Sequence, residues 1–327
     1  MVLFILQATI LAMIPLMIVA LAGAFSEHSG IINLGLEGEM IFGAFIGCIF
    51  CRAMINSSWF AATSQWLYLL GMLVGAAAGA LFSLLLSFSA IKMKADQTIS
   101  GTALNMLAPA LVSTFGLMFF NSERITSRAT FQLSVNSYPN EAFVNAIGNN
   151  DFLKFFFDKV YISTYIVILL YVFLSIWLYK SKTGTHLRAC GEHPQAAASV
   201  GINVFKMRYL GTTISGALAG LGGFIYIATQ TGTEAESSVG GMGFLALAIM
   251  IFGNWKPLWI ALGALLFGFV KCLVVVYTMV PFLSALNLPT YFYNMLPYII
   301  VLIVLIITHK KSGCPKAEGI PYEIGQR

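Results

Sequence analysis

Apolar runs about as long as a bilayer is thick follow one another along almost the whole chain. A run of roughly 20 apolar residues crosses the hydrocarbon core as a helix, and a spanning segment must satisfy its backbone polar groups internally. The sequence therefore predicts an all-α, polytopic transmembrane bundle of eight to ten helices. Nine runs are expected, near 2–25, 31–51, 66–91, 98–120, 160–179, 209–230, 241–254, 257–280 and 291–308.

Charged residues make up only 9% of the 327 residues, and hydrophobic residues 58%. A soluble domain carries roughly 25% charged residues, so lipid rather than water must cover most of this surface. We expect one transmembrane domain over 1–327, with membrane lipid as its surroundings. The net charge of +5 indicates no nucleic-acid partner, because the basic residues lie between apolar runs.

The basic residues also orient the chain. With the C-terminal tail in the cytoplasm, Lys and Arg concentrate on the inner side, as the positive-inside rule requires, and the N-terminus lies outside. The inner set is Lys92, Lys94, Lys180, Lys182, Arg188, Lys206, Arg208, Lys256, Lys310, Lys311, Lys316 and Arg327.

Two polar segments interrupt the apolar pattern. Residues 121–159 form a long outer segment, with a short amphipathic helix expected near 151–158. Residues 180–208 form a cytoplasmic segment, and its centre, 191–198, reads as a short helix because Pro suits a first turn and Ala favours helix. A short exposed helix between two spans suits docking of another protein, although a plain linker is the alternative.

Four polar residues inside apolar runs are candidates for a substrate pathway: Asn33, Glu37, Glu39 and Asn105. Intramembrane carboxylates are costly, so they are expected to face protein or water and to be functional. Asn33 and Glu37 are four residues apart, which predicts that they share one helix face. Two roles stay open for Glu37, a place in the pathway and a structural cap on a broken helix, since glycines surround it.

Some patterns concern packing and symmetry. Glycines recur at four-residue spacing, which lets helix backbones approach closely in lipid. The tetrapeptide at 40–43 recurs at 250–253, in segments that run in opposite directions. An inverted repeat with broken helices is one interpretation, because many transporters are built so. The second and seventh apolar runs contain glycine and polar residues, so these are the expected breaks.

Motifs for enzymatic chemistry are missing from the sequence. A phosphate-binding loop needs Lys and Ser/Thr after its second glycine, but Phe269 and Val270 follow Gly268. Neither H-E-x-x-H nor G-x-S-x-G occurs. We therefore expect no catalytic residue, metal or cofactor in this chain.

Three blocks resemble a known family. The stretches are 26–38 (SEHSGIINLGLEG), 96–105 (DQTISGTALN) and 188–202 (RACGEHPQAAASVGI). In this order they resemble ABC transporter permeases of the ribose and branched-chain amino acid class, closest to the nucleoside and simple-sugar branch. The chain departs from the family pattern at Asp96 and His193, which bears on the substrate more than on the mechanism.

The resemblance implies a type II importer-like permease of a bacterial cytoplasmic (inner) membrane. It implies three partners: an ATP-binding cassette subunit that holds ATP and Mg²⁺, a second and different permease, and an extracytoplasmic substrate-binding lipoprotein. The contact with the ATPase would lie in 191–201, at Gly191, Glu192, His193, Pro194, Ala196, Ala197 and Gly201.

The implied cargo is a nucleoside, with purine nucleosides favoured. Two alternatives stay open. One is a simple-sugar or branched-chain amino acid permease of the same architecture. The other is an ion-coupled secondary transporter in which Glu37 and Glu39 carry protons.

Overall fold

The computed structural model describes residues 2–134, 150–277, 289–308 and 313–323, and these parts are almost entirely helical. The helices are α1 Val2–His28, α2 Leu36–Asn56, α3 Gln65–Ser87, α4 Gln97–Phe120, α5 Asp151–Phe157, α6 Ile162–Lys180, α7 Lys182–Glu192, α8 Pro194–Ser199, α9 Val204–Gln230, α10 Met242–Phe252, α11 Pro257–Val276 and α12 Thr290–Thr308. A π-helical turn, Phe88–Lys92, extends α3. Two short strands, β1 Ile125–Thr126 and β2 Glu234–Ala235, pair antiparallel.

The predicted helical bundle is confirmed. Seven helices among the described residues are long and apolar enough to cross a membrane: α1, α2, α3, α4, α6, α9 and α11. The apolar run at 291–308 forms α12, whereas the run at 241–254 yields only α10, which has 11 residues. A helix of 11 residues is about 16 Å long, roughly half of the hydrocarbon core.

The second apolar run is also broken, as expected, but the break changes one prediction. α1 ends at His28 and α2 begins at Leu36, so Asn33 lies in the irregular link between them and does not share a helix face with Glu37. The link replaces helical hydrogen bonds with side-chain acceptors. Gln97 Oε1 accepts from the Ile32 amide at 2.8 Å, and Asn33 Oδ1 accepts from the Gly35 amide at 3.0 Å.

α2 and α10 run in opposite directions, as predicted. The end of α2 lies beside β1, where Cys48 Sγ donates to the Ile125 carbonyl, and the end of α10 lies beside the end of α1. The repeated tetrapeptide does not occupy equivalent positions, because it lies at the start of α2 and at the end of α10. The inverted repeat itself stays a prediction.

In the core, glycines bring the backbones of α2, α3 and α9 into direct contact, and this contact is called the glycine seam. A Cβ at Gly43 would lie 2.3 Å from Gly220 Cα, and one at Gly220 would lie 2.3 Å from the Gly75 carbonyl oxygen. A Cβ at Gly79 would lie 2.2 Å from the Gly216 carbonyl oxygen. The predicted close approach of glycine-spaced helices is confirmed, and it leaves these backbones no space for a methyl group.

The two ends of the bundle differ in content. The outer end carries β1, β2 and α5, and Gln7 near the start of α1 donates to the carbonyls of Lys154, Phe155 and Asp158 there. The start of α1 therefore lies at the same end as the predicted outer segment, as the predicted topology requires, and the side of the membrane that this end faces stays a prediction. α5 confirms the short helix predicted near 151–158. Residues 135–149 of that segment lie outside the described residues, as do Lys310, Lys311 and Arg327. The inner end carries α7, α8 and the segment 313–323.

α4 begins at the inner end with a side-chain cap. Asp96 Oδ1 accepts from the amides of Thr98 at 2.8 Å and Ile99 at 3.0 Å. These amides hold the pKa of the Asp96 carboxyl below its usual value. The aspartate that departs from the family pattern is thus the N-cap of α4.

Substitution of Gly220 tests the seam. We expect Gly220→Ala to lower the thermal midpoint of the purified protein, because an overpacked core costs about 1–3 kcal/mol and here the obstacle is backbone. Ala77→Val, on the exposed face of α3, adds bulk without a clash and is the matched control. Equal midpoints for Gly220→Ala and Ala77→Val, measured by thermal unfolding in detergent, would contradict the seam.

Candidate functional site

An open groove of about 380 Å³ lies where α2, α4 and the start of α10 meet. Its lining combines a carboxylate, an amide and three hydroxyls with four apolar side chains. The residues are Glu37, Ile41, Thr102, Asn105, Met106, Pro109, Ser237, Ser238 and Phe244. The surface of the groove is mostly apolar and carries a few polar groups, which is the usual composition of a site that binds a small solute.

Glu37 caps α10 from across the bundle. Its Oε1 accepts from the Gly241 amide at 2.9 Å and its Oε2 from the Gly243 amide at 2.6 Å. Both amides belong to the start of α10, where the backbone donors have no helical partner and the helix dipole favours an anion. A Cβ at Gly243 would lie 2.5 Å from the Glu37 nitrogen, so only glycine allows this approach. The capping role left open for Glu37 is the one that the geometry shows, at the wall of the groove.

Asn105 ties α4 to the broken link. Its Oδ1 accepts from the Gly38 amide at 2.8 Å, and its Nδ2 donates to the Leu34 carbonyl at 2.6 Å. A carboxamide has two N–H donors, so one donor is left for a solute. The groove therefore offers the Asn105 amide and the hydroxyls of Thr102, Ser237 and Ser238 as polar contacts.

Asn33 and Glu39 lie outside the groove. Both are fully buried, and Asn33 Nδ2 donates to Glu39 Oε1 at 3.1 Å, to Glu39 Oε2 at 3.0 Å and to Ser215 Oγ at 3.0 Å. This polar cluster joins the link before α2 to the middle of α9. Of the four predicted pathway residues, the structure thus brings only Glu37 and Asn105 together in the groove.

Sequence reasoning did not select Ser237, Ser238 and Phe244. The signal was present in the order of residues, since two serines and two glycines come directly before the short apolar run of α10. Ser238 Oγ accepts from the Gly240 amide at 3.1 Å and shapes the turn into that helix. Phe244 stands 51% exposed on the first turn of α10, as a flat apolar wall of the groove.

The predicted docking segment forms the helix pair α7–α8 at the inner end. Among its candidate residues, Glu192, His193 and Ala196 are exposed, whereas Gly191, Pro194 and Ala197 are buried. Pro194 occupies the first turn of α8, as expected. Gly201 follows α8 at φ +85°, a backbone conformation that favours glycine, and a Cβ at this position would have no other atom within 4 Å.

The helix pair contacts the end of α1 directly. A Cβ at Gly191 would lie 2.3 Å from the His28 carbonyl oxygen, so the backbones are in contact. His28 Nε2 lies 3.3 Å from the Trp255 carbonyl oxygen, and the Trp255 indole N–H donates to Glu27. Trp255 comes just after α10, and Glu37 is bonded to the other end of this helix. α10 therefore connects the inner helix pair to the groove that Glu37 borders.

Comparison with known proteins gives consistent results. A family model described as "Branched-chain amino acid transport system / permease component" matches residues 5–305. The chain is 38% identical to the guanosine ABC transporter permease protein NupQ of Bacillus subtilis, over 99% of this chain and 97% of the relative. It is 36% identical to the nucleoside ABC transporter permease protein NupC of Lactococcus lactis, over 94% of this chain and 93% of the relative.

A third relative has a different name. The putative glucose ABC transporter permease protein TsgC13 of Haloferax volcanii is 30% identical, over 82% of this chain and 76% of the relative. No solved structure gives a significant match to the chain.

Loss of Asn33 tests the buried cluster. Asn33→Ala leaves the buried Glu39 carboxyl group without its amide donor, and an unsatisfied buried polar group costs about 1–3 kcal/mol. We expect a clear fall in the thermal midpoint for Asn33→Ala, a fall for Glu39→Gln, and for the double variant Asn33→Ala/Glu39→Gln a fall smaller than the sum of the two. Strictly additive effects in this double-mutant cycle would show that the two side chains do not interact.

Proposed function

Because the chain belongs to the family of branched-chain amino acid transport system permease components, we propose that the groove beside Glu37 conducts a nucleoside. The chain is a transmembrane permease subunit of an ABC transporter and a multi-pass protein of the bacterial inner membrane. Its role is transport, as in its relatives, and we further propose that a separate ATP-binding subunit supplies the ATP and Mg²⁺ that drive it.

The groove chemistry supports a nucleoside cargo. A nucleoside joins a flat heterocycle to a sugar rich in hydroxyls and carries no charge. Phe244 and Met106 offer an apolar face for the base, and aromatic stacking on a base is worth about 1–3 kcal/mol. Asn105, Ser237 and Ser238 offer hydrogen bonds for the sugar. The names of two relatives, NupQ and NupC, refer to guanosine and to nucleosides and favour a purine nucleoside.

A second permease would complete the pathway. Thr102, Asn105, Met106 and Pro109 of α4 line the groove, and α4 is the least buried of the seven spans that the structure describes. Thr102 and Met106 on this face are exposed, and Met106 is 77% exposed. A partner that covers this face encloses the solute between two subunits. The family resemblance favours a different permease as this partner and an extracytoplasmic lipoprotein as the donor of solute.

α10 supports a mechanism of alternating access. The ATP-binding subunit would dock on the exposed residues within 191–201, among them Glu192, His193 and Ala196. Movement of this pair is passed on at the backbone contact between Gly191 and His28, and then through Trp255 to α10. Because the other end of α10 is held by Glu37, the movement reaches the groove wall.

The placement of Glu39 does not favour a proton-coupled carrier. Glu39 is buried in the cluster with Asn33, away from the groove, so Glu37 and Glu39 form no pair of carboxylates along it. A sugar cargo is the second candidate, because one relative is named for glucose and the groove has hydroxyl and amide contacts.

Uptake by the complete complex in membrane vesicles tests the function. We expect labelled guanosine to enter the vesicles only with ATP hydrolysis. Other nucleosides should compete with its uptake, whereas glucose, leucine and a protonophore should leave the uptake unchanged. If glucose but not adenosine competes with guanosine uptake, the cargo is a sugar and the nucleoside proposal is wrong. Uptake that needs no ATP and stops with a protonophore would overturn the ATP-driven proposal.

The groove wall is tested by Phe244→Ala. Loss of the apolar face should lower the rate of guanosine uptake several-fold at subsaturating concentration, because stacking on the base is lost. Phe269→Ala on α11, a similarly exposed aromatic outside the groove, is the control and should keep the wild-type rate. Equal uptake by both variants would remove Phe244 from the pathway.

The docking pair is tested by His193→Ala and Pro194→Ala. We expect normal amounts of permease in the membrane but loss of solute-stimulated ATP hydrolysis, because the exposed contact and the start of α8 are changed. His186→Ala is the matched control, since His186 is exposed on α7 and lies outside 191–201. If hydrolysis in the two variants still responds to solute as in the control, the docking assignment fails.

A further inference from the structure

A second open groove, of about 430 Å³, lies at the inner end of the bundle, between the end of α6 and the start of α11. It is here called the inner groove, and it shares no lining residue with the groove beside Glu37. Its lining combines two lysines and two aromatic side chains with exposed aliphatic ones. Among the lining residues are Lys180, Lys256, Tyr179, Trp259, Ile176 and Leu258.

All the charge that lines the inner groove is positive. Lys180 is the last residue of α6 and Lys256 comes directly before α11, so one lysine stands on each wall. Both are exposed, and neither Asp nor Glu lines the groove. Within the described residues the ion pairs belong to Lys94 and Arg124, not to these two lysines. An ammonium group has hydrogen-bond donors and no acceptor, so both lysines are available to an anion.

A third cation, Arg188 of α7, lies against the wall of the inner groove. Its guanidinium stands over the Tyr179 ring, with Cζ 4.8 Å or less from the ring centroid, at 4.7 Å. Arg188 Nε donates to the Leu178 carbonyl at 3.2 Å, and Nη2 donates to the Tyr179 carbonyl at 3.3 Å. These contacts hold the guanidinium at the end of α6, where it adds to the positive charge beside Lys180.

The apolar part of the inner groove suits acyl chains. Ile176, Leu258 and Trp259 are exposed, and they lie on α6 and α11, two helices long and apolar enough to span the membrane. Exposed apolar side chains of a span contact the hydrocarbon of the bilayer. Tyr179 and Trp259 lie within one turn of their helix ends, at the depth where Tyr and Trp are enriched in membrane proteins. The groove therefore extends from the level of the head groups into the hydrocarbon.

Hydrogen bonds join the two walls of the inner groove. The Tyr179 hydroxyl donates to the Trp255 carbonyl at 3.3 Å, and the Tyr171 hydroxyl donates to the Pro257 carbonyl at 2.7 Å. Trp255 has a left-handed backbone, with φ +58°, which is uncommon for a residue other than glycine and persists only where the surroundings hold it. A ligand that bridges the two lysines would add a further tie between α6 and this turn.

We infer that the inner groove binds an anionic phospholipid from the leaflet at the inner end of the bundle. The phosphate lies between Lys180 and Lys256, and the acyl chains follow the exposed apolar side chains of α6 and α11. Basic pockets between transmembrane helices bind anionic head groups in this manner. A free phosphate ion has the same charge, but it gains nothing from the apolar part of the groove, so the lipid is the occupant that fits the whole site.

Native mass spectrometry of the full-length chain tests the site without any transport assay. The chain is purified in a neutral detergent and titrated with phosphatidylglycerol. We expect Lys180→Gln/Lys256→Gln to bind this lipid about 30-fold more weakly than wild type, since each lysine contributes about fivefold to the attraction of an anionic lipid. Phosphatidylcholine with the same acyl chains has no net charge and should not be retained.

Two control variants separate the site from general charge and from the loss of the fold. Lys182→Gln/Lys206→Gln removes two exposed lysines of the inner end that do not line the groove, and it should bind phosphatidylglycerol as wild type does. Lys180→Arg/Lys256→Arg changes the same positions as the test variant but keeps both charges, so it should retain the lipid.

Several results would overturn the inference. Wild-type affinity in Lys180→Gln/Lys256→Gln, or an equal loss in Lys182→Gln/Lys206→Gln, would show that the groove lysines do not form the site. Equal retention of phosphatidylcholine would show that acyl chains alone are bound. Displacement of phosphatidylglycerol by inorganic phosphate, but not by chloride at the same ionic strength, would assign the groove to a free anion.

The consequence for transport rests on the proposed function and has its own readout. The lipid would brace the turn at Trp255, through which the inner helix pair acts on α10. In the complete complex in phosphatidylcholine vesicles, added phosphatidylglycerol should therefore raise the number of solute molecules moved per ATP in wild type but not in Lys180→Gln/Lys256→Gln. Lipid binding without ATP-driven uptake supports the lipid site and refutes the proposed function, whereas ATP-driven uptake by a chain that binds no phosphatidylglycerol does the reverse.

Discussion

The carboxylate of Glu37 is the contact on which the rest of this structure depends. A helix that begins inside a bundle leaves backbone amides without partners, and lipid cannot supply them. Glu37 supplies both acceptors for the start of α10 from the neighbouring α2, where its own position is fixed by the break after α1. The same residue that caps this half-length helix therefore borders the groove.

The glycine seam makes one part of the bundle rigid, whereas hydrogen bonds of polar groups position the parts that can move. α2, α3 and α9 meet backbone to backbone at Gly43, Gly75 and Gly220, so these three helices form one body without side chains that could repack. α10 packs its apolar residues into the same core, and directed hydrogen bonds at Glu37, at His28 and at Gly191 fix its two ends and the inner helix pair. Such bonds can be exchanged between two arrangements, which is what alternating access requires.

Much of this architecture follows from the sequence. Length and hydropathy locate the spans, because the thickness of the bilayer fixes both. The positions and hydrogen-bond partners of individual polar residues do not follow from the sequence, since they depend on contacts between distant segments. Asn33 lies outside the helix, where the side chain of Gln97, 65 positions away from Ile32, accepts from the Ile32 amide in place of a helical carbonyl. Glu39 is buried because it accepts from Asn33, whose amide also donates to Ser215 on α9. Residues 313–323 have neither apolar periodicity nor a motif, so only their tertiary contacts, such as the bond from the Ala317 amide to the Gly191 carbonyl, show that they pack on the inner end of the bundle.

The half length of α10 also changes the electrical profile of the protein. A helix about 16 Å long covers only half of a hydrocarbon core of roughly 30 Å, so water can approach its first turn from the outer side. The transmembrane voltage then falls mainly across the inner half, along α10 itself, where the described residues 242–252 carry no charge. An uncharged solute that crosses this short barrier does no electrical work, so the membrane potential neither drives nor opposes the step.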